Sequence, residues 1–148
     1  MLNKLRAFLA RAPALAGVEV GVGDVSPAPG AAGLWAKGVT VLRRKTNLLG
    51  GVTLCNRAEF TLRLCLPLPP GDSDTAAENA ARLLDLQAWV AAESAARRAP
   101  LLGNTNPAGE VLRAEQGKME RADAGTAVYT LRLQAEYTHY FEEEPNEN

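Results

Sequence analysis

The chain has 148 residues, 47% of them hydrophobic and 22% charged, with a formal net charge of -1. That length makes one domain and is enough to bury a sizeable core. The near-neutral charge supplies no global field for nucleic acid or an anionic membrane, and no apolar run approaches the ~20 residues of a membrane span.

In chain order, Leu2, Leu5, Phe8 and Leu9 fall at helical spacing over residues 2–12, and Pro13 ends that helix. Lys4, Arg6 and Arg11 make it basic. Residues 12–16 have the small-residue pattern of a signal cleavage site. The apolar stretch before them is short and broken by Arg6 and Arg11, which predicts no signal peptide. Val18, Val20 and Val22 alternate with Glu19, Gly21 and Gly23 as a short strand. Residues 26–33 are dense in Pro, Gly and Ala and read as a loop, with Leu34 and Trp35 following it. Residues 38–45 read as a second strand. Residues 51–66 read as a long third one, bulged near Asn56 and stopped by Pro67, Pro69, Pro70 and Gly71.

Thr75 and Glu78 have capping-box spacing and predict a helix running to about Arg98, with Leu83, Leu86 and Val90, near Leu84 and Trp89, as its apolar stripe. Arg97 and Arg98 suit the negative end of its dipole. A loop around Gly103, Asn104, Pro107 and Gly109 leads to a weak strand at 110–119. The strongest pattern comes last. Tyr129, Leu131, Leu133, Ala135 and Tyr137 alternate with Thr130, Arg132, Gln134, Glu136 and Thr138, as on a strand with one buried and one wet face. The chain then turns acidic at Glu142, Glu143 and Glu144. The order of elements predicts an α+β fold, a largely antiparallel sheet of four to five strands with helices packed on one face. Residues 1–141 form the domain and 142–148 a flexible acidic tail.

No segment assembles an active site. Gly21 and Gly23 lack the third glycine and the following helix of a dinucleotide fingerprint. Gly33 and Gly38 have P-loop spacing, but Val39 stands where the lysine is needed. His139, the one histidine, falls on the apolar side of the last strand and reads as structural. Cys55 and Cys65 sit in one strand, roughly 33 Å apart if it is extended, too far to pair. Two cysteines and one histidine give no zinc pattern. The chain therefore reads as a non-enzyme with no cofactor and no metal.

The remaining candidates belong to an interface. Arg43, Arg44 and Lys45 are a compact basic cluster, a strand end or a subunit contact rather than a nucleic-acid site. Glu59, Arg63, Arg132 and Glu136 lie on the wet sides of the two long strands, where they either face solvent or pair with a neighbouring subunit. Trp35 either plugs the core edge or, exposed, anchors a partner. Glu142, Glu143 and Glu144 suit a basic partner.

Five dispersed segments carry a resemblance: the opening helix Met1–Arg6, the stretch Lys45–Arg57 leading into a long strand, the helix Leu84–Val90, Pro100–Gly103, and the strand Ala127–Tyr137. Together they resemble the tail terminator, or tail-completion, proteins of contractile-tailed bacteriophages and prophages, over nearly the whole chain. The resemblance implies a ring, six subunits around, at the head-proximal end of the tail. Such a ring caps the last tube ring, ends polymerisation and meets the neck or connector protein. In a contractile tail it also touches the sheath. The implied partners are further copies of the chain, the tail tube protein, the sheath protein and the neck protein, with no membrane and no specific nucleic acid. The implied location is the tail-neck region of the virion, after synthesis in the bacterial cytoplasm. The competing expectations are another head-tail connector component, one of them contacting DNA, and a small-molecule-binding or enzymatic α+β domain.

Overall fold

Two long alternating strands build the centre of the molecule. In the computed structural model, which describes residues 1–23 and 28–142, β3 (Val52–Pro67) and β5 (Thr126–Phe141) pair antiparallel along their full length, from Val52 opposite Phe141 to Pro67 opposite Thr126. Residues opposite one another share a face. Ala58, Phe60, Leu62 and Leu64 therefore line one side with Leu131, Leu133, Ala135 and Tyr129, and all are buried. Burial at that level is worth about 1.5–3 kcal/mol for each large side chain.

The other strands extend this pair to a five-stranded sheet in the order β1-β2-β3-β5-β4. β2 (Ala31–Thr46) pairs antiparallel with β3, and β4 (Val111–Asp123) with β5. The short β1 (Glu19–Val22) adds to β2 in parallel, so the sheet is mixed. The β4 edge is blunted against further strand pairing, whereas β1 covers only Ala31–Leu34 and leaves the rest of β2 as an edge with bulges between Ala36 and Gly38 and between Val41 and Arg43. β1 has four residues. β4 is bulged after Glu115 and again after Met119, with Gln116 at a φ of 55°. Beyond the start of β4, Asn104 takes over the edge of β5. Its Oδ1 accepts from the Tyr140 amide at 2.7 Å and its Nδ2 donates to the Tyr140 carbonyl at 2.9 Å. Gly103 lies so close beneath that a Cβ there would collide with the Thr138 carbonyl.

Both helices cover the apolar face. α1 (Leu2–Leu9) packs on β1 and β2 through Leu5, Phe8 and Leu9. α2 (Ser73–Ala95) packs on β4 through Leu83, Leu86 and Val90. The two helices meet where the rings of Phe8 and Trp89 stack, 4.6 Å apart. Polar side chains pin α2 in place. Asn79 donates to the Pro67 carbonyl, Gln87 donates to the Ala114 carbonyl, and Ser94 Oγ accepts from the Leu112 amide.

Several sequence expectations are corrected. The capping box of Thr75 and Glu78 is not the helix start. Asp72 is the cap, accepting from both the amide and the hydroxyl of Thr75, and α2 begins at Ser73. The helix ends at Ala95, not near Arg98, because Arg97 turns left-handed at a φ of 60°. Within the apolar stripe, Leu84 is exposed. The loop assigned to 26–33 ends sooner. Ala31, Ala32 and Gly33 already belong to β2, and Ala32, Gly33 and Leu34 are buried. The earlier loop residues Ser26 and Pro27 lie outside the described residues. The bulge expected near Asn56 is on the opposite strand, where Leu42 is skipped between Val41 opposite Asn56 and Arg43 opposite Cys55. Cys55 and Cys65 are both free thiols.

Candidate interface surface

The uncovered face of the sheet collects most of the predicted site residues. Arg57, Glu59, Thr61 and Arg63 of β3 share it with Thr130, Arg132, Gln134 and Glu136 of β5. Trp35 joins them from β2, opposite Thr61. It stands in a strand, not after a loop as expected, and it is half-buried. The Arg63 guanidinium lies over its ring, 5.2 Å from the centroid.

The charges of this face pair across the strands within one subunit. Arg132 and Gln134 both donate to Glu59 Oε1. Arg57 meets Glu136 at 2.9 Å, and Arg113 of β4 reaches the same carboxylate at 3.5 Å. Arg63 meets Glu120 at 3.4 Å. Glu59, Arg63, Arg132 and Glu136 therefore each have a partner within their own subunit. Register is the cause: Glu59 lies opposite Gln134, diagonal to Arg132, and Arg57 lies opposite Glu136. The Arg132 hydrogen bond, helped by Gln134, holds the Glu59 carboxyl below its ordinary range. Arg57, aided by Arg113, does the same for Glu136. The result is a polar surface on which Glu59, Glu120 and Glu136 are each paired within the subunit.

The β2–β3 hairpin differs. Its outer half runs past both helices as an arm. Val39 and Val41 point to the helix side, where no helix covers them, and are 55% and 52% exposed. Arg43 and Lys45 point to the open side, Arg44 to the other, and all three are exposed. The five residues from Asn47 to Gly51 close the hairpin, and Asn47 organises them. Its Oδ1 accepts from the amides of Leu49 and Gly51 at 3.0 and 2.8 Å. Its carbonyl accepts from Gly50, which takes a φ of 86°. Its Nδ2 donates to the Tyr140 hydroxyl, anchoring the turn to β5. Leu48 and Leu49 are the central residues of this fixed turn and face outward, 105% and 84% exposed.

Sequence reasoning did not single out these leucines. Two apolar residues set between Asn47 and Gly50-Gly51, in a turn that polar residues normally fill, were the signal to look for. Glu142 is exposed just past β5, at this same end of the sheet. Glu143 and Glu144 lie outside the described residues. His139 is half-buried, opposite Leu54, its ring 4.4 Å from that of Phe141. Among the described residues no group of three or more His, Cys, Asp or Glu is placed to hold a metal ion, and no helix is long and apolar enough to cross a membrane.

No protein-family model matches this chain, and no curated protein matches it in sequence.

Proposed function

We propose that this protein is a structural subunit of a bacteriophage tail. Six copies close into a ring that caps the head-proximal end of the tail tube, ends its polymerisation and joins it to the neck. Its partners are its own copies, the tube protein, the neck protein and, in a contractile tail, the sheath. The observation that carries the reading is the arm. A hairpin that holds Leu48 and Leu49 in water on a hydrogen-bonded turn serves contact with another protein surface, since exposed apolar clusters of this kind mark interaction sites. The open face, with its carboxylates paired within the subunit, suits contact with a polar surface. The resemblance of the five sequence segments supplies the choice of tail terminator among ring-forming proteins.

Native mass spectrometry of the purified protein, and electron microscopy of tails purified from cells producing it, test this directly. The expected result is a closed hexamer, alone or on tube, located at the upper end of the tail. A protein that stays monomeric with tube present and is missing from that end overturns the proposal.

A further inference from the structure

Eleven large apolar side chains are exposed among the described residues, and five of them (Val39, Val41, Leu42, Leu48 and Leu49) belong to the arm. Two more, Leu84 and Met119, flank a trough between α2 and β4. This trough is about 310 Å³, floored by Leu83 and Tyr129. It continues past Leu68 and Ala76 into a second hollow of about 520 Å³ beside the Pro69–Gly71 turn. Gly117 lets β4 run close to α2 here, since a Cβ on it would stand 2.7 Å from Gln87 Oε1.

We infer that the arm tip of one copy, Leu48 and Leu49, docks in the α2–β4 trough of the next copy. The inference deepens the ring-forming reading and rests on it. Three features select a second copy as the occupant. Apolar character matches on both sides: two exposed leucines meet Leu84, Met119 and Leu68. Charge also matches. Arg43, Arg44 and Lys45 stand just behind the tip, while Asp72 and Asp123 line the wider hollow and Asp74 follows. The hydrogen bonds from Thr75 keep the Asp72 carboxyl ionised. Among the described residues, Lys118 is the one cation lining the trough, on its β4 wall.

Position is the third feature. The tip precedes Val52 at the start of β3, and the trough begins at Leu68, just after the end of the same strand. Sixteen residues of strand separate them, roughly 50 Å. The arm cannot reach its own trough. Two complementary patches at opposite ends of one molecule make a head-to-tail contact, which closes into a ring when the rotation permits.

Directed cross-linking tests the contact. In a Cys55→Ser, Cys65→Ala background, Leu48→Cys and Leu84→Cys are made separately and together, then oxidised. The expected result is a cross-linked dimer when the two single variants are mixed, little when either is alone, and a ladder ending at the closed oligomer for the double variant. Both positions are exposed, so folding is spared. Leu48→Asp, read by native mass spectrometry, is expected to leave folded monomers. Oligomers without the 48–84 link, links only between two copies of Leu48→Cys, or a protein that never associates, each overturn the inference. Rings in tails without the link refute this contact and leave the tail reading standing. The link in free oligomers, with no protein in tails, does the reverse.

Discussion

At the scale of single residues, Glu59 and Glu136 show how far charge on the open face is committed. Each carboxylate is partly exposed, so its ion pair contributes modestly and is weakened by salt. The sign of the pH dependence is nonetheless fixed. Arg132 and Arg57 lower the folded-state pKa values of the two carboxyls. The unfolded chain therefore takes up protons first as pH falls. The stabilisation is complete above the ordinary glutamate range and is lost as pH drops through the lowered folded values. Glu59→Gln should be slightly less stable than the parent at neutral pH. That gap should shrink to nothing under acid conditions, because the parent's carboxyl is then neutral too. Urea unfolding at a series of pH values measures it. A gap that is constant with pH means that Glu59 acts through its packing and hydrogen bonds, not its charge.

At the scale of elements, α2 makes the clearest energetic claim. Leu83 is 6% exposed and sits at the junction of α2, β4 and the trough floor. Leu83→Ala should cost about 2–5 kcal/mol, as deletion of a buried leucine does when the surroundings relax only in part. Chemical denaturation checks it. A loss under about 0.5 kcal/mol, the scale of surface substitutions, would remove the helix from the core as assigned. This stripe was legible in the sequence, and so were β3 and β5, because each repeats one period over enough residues to exclude others. What was hidden depended on partners. The start of β2 at Ala31 is set by β1 and by the Gly30 amide donating to the Cys65 carbonyl, 35 residues away. The cap at Asp72 competed with an equally good pattern three residues later. The charged site residues were found by alternation, but their pairing within the subunit depends on register, which alternation does not encode. Leu48 and Leu49 gave a local signal, yet their exposure follows from the turn that Asn47 closes.

At the scale of the whole molecule, charge is segregated toward one end. The sheet's arm end carries Arg43, Arg44 and Lys45, and the chain leaves β5 at that same end, where Phe141 lies opposite Val52. Four glutamates follow Phe141 in the sequence, so ending the chain there changes the formal net charge from -1 to +3. None of the paired backbone of β5 is removed, since its ladder ends at Phe141, and Glu142 is exposed. Truncation after Phe141 should therefore leave the unfolding midpoint nearly unchanged, within the range of surface changes. Under the proposed tail role, its effect belongs to assembly. Repeated carboxylates resist burial without cations, so the acidic segment suits a basic surface on a partner, and its loss should lower incorporation into tails per folded molecule. The same charge change should make the free protein bind anionic surfaces more readily at low salt, an effect that added salt removes. Thermal unfolding and tail incorporation are to be measured side by side. A large drop in the midpoint with normal incorporation would place the segment in the subunit's own fold and remove it from the interface.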